Sequence, residues 1–465
     1  MATLARSGVR PRTVIEPTCG EGAFLVAARD QWRSATLVGY ELHHDYVTAA
    51  RAALPSSVSV SQADFFATDW PRVFQRTNGP VLVLGNPPWV TSAELGSLTS
   101  SNLPRKENFK HLSGLDAITG KSNFDVSEWM LLRLLHALQG RAFVLSFLCK
   151  SIVARRVMEH AVSAQWRVHG ETRAIDAMAH FGAAVDAVLL TVVSADKDKH
   201  ADGGQAHAWP RYPSLDAITP AAVLGCPNGT ATPDIDAFMR TRHLAGTCAP
   251  EWRSGLKHDC SAVMEFVAEG GQLRSRASGV VELESDYLFP MMKGSDVANG
   301  RLPPARAMLV TQRSLGQPTG TIQTVAPKTW RYLHQHRAAL AARKSSIYAK
   351  QPAFAIFGVG DYTFAPWKVA IAGLYKKLSF LLVGLHAGKP VVFDDTTYFL
   401  PFSTEADARA AHEALTSPLA AEFFRARIFW DDKRPINKRV LQELDLDALQ
   451  RTLGIDNRPR RPRPS

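Results

Sequence analysis

Between residues 13 and 195, short apolar runs alternate with stretches whose apolar residues recur every three or four positions. TVIEP (13–17) reads as a β-type run, TCGEG (18–22) as a glycine turn and AFLVAARDQW (23–32) as a helix. ATLVGYEL (35–42) is the next strand, and HHDYVTAARAAL (43–54) is a helix ended by Pro55. VSVSQADFF (58–66) gives a third strand, and GPVLVLGNPPW (79–89) contains a fourth. VSEWMLLRLLHAL (126–138) has helical spacing, while AFVLSFLCK (142–150) and AVDAVLLTVVSA (184–195) are further strand candidates. Strands separated by helices predict a doubly wound α/β domain: a mostly parallel sheet with helices on both faces.

The pattern changes near Ala195. ADKDKHADGGQAHAWPRYPS (195–214) is polar and rich in Gly and Pro, and reads as a linker or exposed loop. Beyond it come short aromatic-rich strands and a few helices, among them the basic PKTWRYLHQHRAALAARKS (327–345). The end, DNRPRRPRPS (456–465), has the composition of a disordered basic tail. With 465 residues, the chain is too long for one ordinary core. The expected division is a first domain over 1–195, a second over 196–455 and the tail over 456–465.

Composition narrows the function. The hydrophobic share is 46% and the charged share 21%, as in a globular protein. No apolar run approaches the roughly 20 residues of a membrane span, and MATLARSGVRPR lacks the apolar segment of a signal peptide. A cytoplasmic location is expected. Net charge is +11 with a pI near 9.5, which suits a polyanionic partner but also any basic soluble protein. Five cysteines with no CxxC pair predict neither a disulfide framework nor a zinc site, and no metal is expected.

Three strand ends carry candidate chemistry. Gly20 and Gly22 follow the first strand and permit close approach by a ligand. Glu41 ends the second, where an acidic side chain can accept both hydroxyls of a ribose. At the third, Asp64 could bind an exocyclic amine and Phe65 could stack on its ring. Each has a structural alternative: a packing turn, a helix N-terminal charge, a surface Asp beside a core Phe. Together, and in this order, they favour an adenosine-containing ligand at the carboxyl ends of the strands.

The fourth strand ends in Asn86-Pro87-Pro88-Trp89. The prolines stop the ladder and restrict the residue before them. The Asn side chain and the neighbouring carbonyls are then held as fixed acceptors, a pairing suited to a planar amino group. Trp89 can stack on the ring that carries it. A simple strand-ending turn would explain the prolines but not the asparagine.

EPTCGEGAFL, GYELHHD, ADFF and GNPPW together resemble the successive motifs of Class I adenosylmethionine-dependent methyltransferases. GNPPW resembles the signature of enzymes that methylate exocyclic amines. The combination is similar to the N6-adenine DNA methyltransferases that carry a C-terminal target-recognition domain. KSNFDVSEWML (121–131) resembles the segment that completes the methyl-donor site, and MAHFGAAVDAVLL (178–190) a later motif whose aromatic, here Phe181, packs on the extruded base. DYLFPMMKGSDV (286–297) resembles the start of the recognition domain.

The resemblance implies a seven-stranded, Rossmann-like sheet followed by an α+β recognition domain. It implies S-adenosylmethionine as cofactor, held by Glu16, Gly20, Gly22, Glu41, Asp64, Phe65 and Asp125. Asn86, Pro87, Pro88 and Trp89 would be the catalytic set, with Trp89 and Phe181 sandwiching a flipped adenine. It also implies double-stranded DNA as partner, a nucleoid association through that DNA, and a role in a restriction or phage-defence system with a separately encoded endonuclease or other subunits. FAIFGVGDYTFAPWKVAIAGLYKK (354–377) interleaves aromatics with Lys368, Lys376 and Lys377; these, with Arg343, Lys344 and the 458–463 tail, are the expected phosphate contacts, with an aromatic core strand carrying solvated lysines as the equal alternative for 354–377. The segment Thr91–Lys121 is an insertion, read either as a segment that closes over DNA or as a disordered loop. Two departures stand out: only 12 residues precede Thr13, where the family has a helix-bearing motif, and Glu16 replaces the usual Asp. An RNA adenine methyltransferase, a glutamine-amide methyltransferase and a non-catalytic DNA-binding protein of the same fold remain alternatives. A fused nuclease is not expected, because no convincing PD…(D/E)xK arrangement occurs.

Overall fold

The computed structural model describes residues 1–90, 125–182, 185–195, 208–269 and 271–455. The insertion expected to close over DNA and the basic tail lie outside them. The chain divides into two compact units, Met1–Asp236 and Ala237–Ser465.

In the first unit, helix α1 (Ala2–Arg6) precedes β1 (Thr13–Glu16), α2 (Ala23–Gln31), β2 (Thr36–Glu41), α3 (His44–Ala53), β3 (Ser59–Gln62), α4 (Trp70–Gln75) and β4 (Val81–Gly85). Then follow α5 (Val126–Ala137), β5 (Phe143–Lys150), α6 (Ser151–Ser163), β6 (Val168–Ile175), α7 (Ala177–Phe181) and β7 (Ala187–Ser194). Short strands β8 (Trp209–Tyr212) and β9 (Ala222–Leu224) complete it. Among the described residues the strands form one sheet in the order β3-β2-β1-β4-β5-β7-β6-β8-β9. β1 to β5 pair in parallel, and β7 lies antiparallel between β5 and β6. The fold is therefore a doubly wound, Rossmann-like α/β sheet, with two strands added at one edge.

The central parallel strands are buried because helices cover both faces, while the edge strand β3, Ser-Val-Ser-Gln, is buried only at Val60. β1 and β4 are fully buried, and Val14, Leu25, Leu37, Val47 and Leu82 share one core with α2 and α3. The chain runs outward from β1 through β2 and β3, then returns to place β4 on the other side of β1. That reversal opens a crevice at the carboxyl ends of β1 and β4. Thr13 pairs with Val81 and Ile15 with Val83, so the turns after Glu16 and after Gly85 start side by side.

The sheet corrects one expectation. AWPRY, read as part of an exposed loop, contains β8, which pairs in parallel with β6. Trp209 is 1% exposed, and a Cβ at Gly170 would stand 2.4 Å from its ring. A glycine in β6 thus makes room for an indole that the polar, proline-rich context concealed. The first sheet consequently runs past residue 195 to Leu224.

The second unit is α+β. A four-stranded sheet is built from β10 (Arg253–Ser254), β19 (Thr397–Phe402), β16 (Trp367–Ala372) and β17 (Leu381–Val383). A six-stranded mixed sheet contains β11 (Glu265–Glu269), β12 (Gln272–Ser275), β13 (Gly279–Val281), β14 (Leu288–Met292), β15 (Arg306–Leu309) and β18 (Val392–Phe393). Trp252, Phe423 and Phe424 anchor one core of this unit, and Phe266, Met291 and Leu333 another. The basic helix expected over 327–345 is broken into Pro327–Gln335 and Arg337–Ala341 at His336. No helix among the described residues is long and apolar enough to cross a membrane.

Candidate active site

The turn after β1 is shaped by glycine. Gly20 and Gly22 have φ of +49° and +86°, a region that costs a side chain about 1–2 kcal/mol. Gly22 is the N-cap of α2, so the open amides of that helix face the crevice side of the turn. Glu41, at the end of β2, accepts hydrogen bonds from the Gly20 N–H at 2.8 Å and the His43 N–H at 3.0 Å. Its carboxylate therefore clamps the glycine turn to the second strand.

Glu16 is 4% exposed. Its Oε2 and the nearby Thr18 Oγ1 are buried without a hydrogen-bond partner among the described residues. Burial, and to a lesser degree the neighbouring Glu41 charge, push the Glu16 carboxyl well above its ordinary range, while the Leu25 amide opposes them. Such an orphaned acid is suited to a cation brought by a ligand.

At the third strand end, Asp64 is half-buried and its Oδ1 accepts from the Phe66 N–H at 2.7 Å. Phe65 is 6% exposed and packs against Trp70 with ring centroids 4.9 Å apart. It is a core ring here. Phe66, which packs on Trp129 at 5.1 Å, is the half-buried aromatic of the pair.

Gly85, the last residue of β4, leaves room for the Phe147 ring, which a Cβ there would meet at 3.0 Å. Asn86 follows, exposed, and its side chain makes no hydrogen bond among the described residues. Pro87 is buried and Pro88 exposed. Trp89 is half-buried, and its indole N–H donates to the Leu148 carbonyl of β5 at 3.4 Å. A free acceptor thus stands beside a tethered aromatic at the mouth of the crevice.

Asp125 is buried, and its carboxylate is already engaged. Oδ1 accepts from the Ser127 N–H at 3.1 Å and its hydroxyl at 2.6 Å, capping α5. Oδ2 meets the Lys150 ammonium at 2.8 Å. Sequence reasoning missed Lys150, whose partners are distant in the chain. Phe181 is the last residue of α7.

Of the expected phosphate contacts, Lys344, Lys376 and Lys377 are exposed, the last two on the connection between β16 and β17. Lys368 is 1% exposed and donates to the Ala365 and Val391 carbonyls. With its ammonium enclosed, it has no surface to offer a phosphate. Arg343 turns inward, bonding the Leu340 and Ala355 carbonyls at 2.7 Å each and lying over the Tyr348 ring. Both are corrections: these cations hold the second unit together.

No protein-family model matches the chain. It is 39% identical over 462 residues to the Type II methyltransferase M.NspV of a Nostoc species, covering 97% of this chain and 94% of that protein. Among solved structures it resembles the Type IIL restriction-modification enzyme MmeI in complex with DNA, with a TM-score of 0.56 and 14% identity over 95% of this chain. It spans 63% of that longer chain, and the likeness concerns the fold. With its glycine turn, its reversed strand order and a full-length relative at that identity, the chain belongs to the Type II methyltransferases, enzymes whose methyl donor is S-adenosylmethionine.

Proposed function

We propose that the protein methylates the N6 amino group of adenine in double-stranded DNA, as the modification enzyme of a restriction or phage-defence system. The observation that carries this reading is the exposed, unengaged Asn86 side chain beside the tethered Trp89. Asn86 Oδ1 and the Pro87 carbonyl accept the two N–H bonds of an aromatic amine, and Trp89 offers a face to its ring. An amine inside a duplex cannot reach such a pocket, so the base is flipped out. The likeness to an enzyme solved with DNA and the exposed lysines of the second unit support DNA as the partner.

Bound S-adenosylmethionine supplies an electrophilic methyl group on a sulfonium. Glu16 and the amides at the start of α2 fit its charged amino-acid part, while Glu41 and Asp64 fit its ribose and adenine. The chain's contribution is positioning: Asn86 and Pro87 orient the nitrogen lone pair, and the pocket excludes water.

Methyl transfer from labelled donor to DNA tests the proposal, comparing wild type with Asn86→Ala and mapping the product base. N6-methyladenine formed by wild type, with a loss of about 100-fold or more in the variant, is expected. Methylation of RNA or of cytosine alone, or equal activity of the two proteins, refutes it.

A further inference from the structure

Lys150 stands at the junction of β5 and α6. Its ammonium donates to the Trp89 carbonyl at 2.9 Å and to Asp125 Oδ2 at 2.8 Å. These partners lie 61 and 25 residues away in the chain. Asp125 in turn caps α5 through Ser127. The Val126 N–H donates to the Val90 carbonyl at 3.0 Å, closing the same junction through the backbone. Two positions before Lys150, the Leu148 carbonyl receives the Trp89 indole N–H. The end of β5 therefore holds Trp89 by both its ring and its backbone, and joins it to the first turn of α5.

The chemistry of this junction requires a cation. The Asp125 side chain is 8% exposed and that of Lys150 24%. A carboxylate so enclosed is strongly destabilising once its partner is removed. A compact ammonium with three rotatable donors can meet a carboxylate and a carbonyl from different segments together, whereas a guanidinium presents a planar fork.

We propose, building on the reading of the Asn86–Trp89 turn above, that Lys150 is a positioning residue for methyl transfer. It fixes the carbonyl end of the turn to Asp125, and so sets where the Trp89 ring stands relative to Asn86. It touches no reacting atom. Asp125, expected from sequence to hold the donor, belongs to this clasp.

The experiment uses full-length Lys150→Met, Lys150→Arg and Asp125→Asn proteins and the Lys150→Met/Asp125→Asn double variant. Single-turnover transfer to DNA is read beside calorimetric donor binding. Backbone hydrogen exchange follows the Val126 and Ser127 amides. Lys150→Met is expected to slow transfer about 10- to 100-fold, the scale of a small misplacement, with donor affinity near wild type and protection lost at both amides. Lys150→Arg, which keeps the charge, is expected to fold and give an intermediate rate. The double variant is expected to be no slower than Lys150→Met, since both changes open one clasp. Wild-type rate and protection in Lys150→Met overturn the proposal, as do single-variant losses that multiply in the double. Should wild type methylate no DNA, the functional reading falls by itself. Exchange then decides the clasp: lost protection upholds it and unchanged protection overturns it.

Discussion

The Glu41 carboxylate accepts the Gly20 N–H at 2.8 Å, so the end of β2 holds the turn that follows β1. Its other oxygen takes the His43 N–H. Glu41→Ala leaves two backbone donors without their partner in a buried place, at about 1–3 kcal/mol for each that water does not reach. We expect a lower thermal midpoint and weaker donor binding by calorimetry. Glu41→Gln, which keeps one acceptor oxygen, is expected to fall between.

Glu16 gives donor binding a pH dependence. Its carboxyl is held well above the ordinary range, first by burial and then by Glu41. It is therefore protonated in the free protein further up the pH scale than an exposed acid. A cationic ligand favours the ionised form, so binding should release a proton and tighten as pH rises through the raised value. In folding, the sign is opposite. A carboxyl whose folded pKa is raised contributes stability that is complete below its unfolded value and lost as pH rises through the folded one. Glu16→Gln should flatten both trends in calorimetry and urea unfolding at pH 5 and 8; an unchanged slope in either refutes the corresponding assignment.

Lys368 and the pair Lys376 and Lys377 should separate cleanly. Burial brings the Lys368 ammonium down to about 7. The unfolded chain then holds a proton that the folded chain lacks between about pH 7 and the ordinary lysine value near 10.5, so stability contributed by this group rises with pH across that window. Lys368→Met should abolish the rise in denaturant midpoint between pH 7 and 9 without altering the salt dependence of DNA binding. Lys376→Ala and Lys377→Ala, changing exposed cations, should each lower that salt slope by about 1. A salt slope altered by Lys368→Met would reverse the assignment.

Gly170→Ala tests whether β8 belongs to the first sheet. The added methyl would meet the Trp209 ring at 2.4–2.6 Å, an overpacking worth about 1–3 kcal/mol or more. A thermal midpoint lowered by several degrees is expected, and Trp209→Ala in the same background should relieve part of the clash.

Much of the first sheet is legible because burial writes apolar runs into β1, β4, β5 and β7. β6 is not, because its buried polar residues are satisfied by tertiary partners. Besides its strand neighbour Glu171, Arg173 meets the Leu215 and Ala217 carbonyls and the Tyr212 ring, which a local pattern cannot announce. The glycine turn and Asn86–Trp89 are readable for the opposite reason: Gly and Pro fix the backbone locally. Lys150 is silent in sequence because its partners come from two remote segments. Lys368 misleads because aromatics interleaved with lysines look alike whether a lysine sits mid-strand, as in β16, or on the connection beyond it, as Lys376 and Lys377 do.

The hydrogen bond from the Val126 N–H to the Val90 carbonyl ties the residue after Trp89 to the first turn of α5 through the backbone alone. A bond between backbone atoms is indifferent to side-chain identity, so ordinary substitutions at Val90 and Val126 leave it in place. Only proline at Val126, a position in the first turn of α5 that a helix tolerates, removes the donor itself.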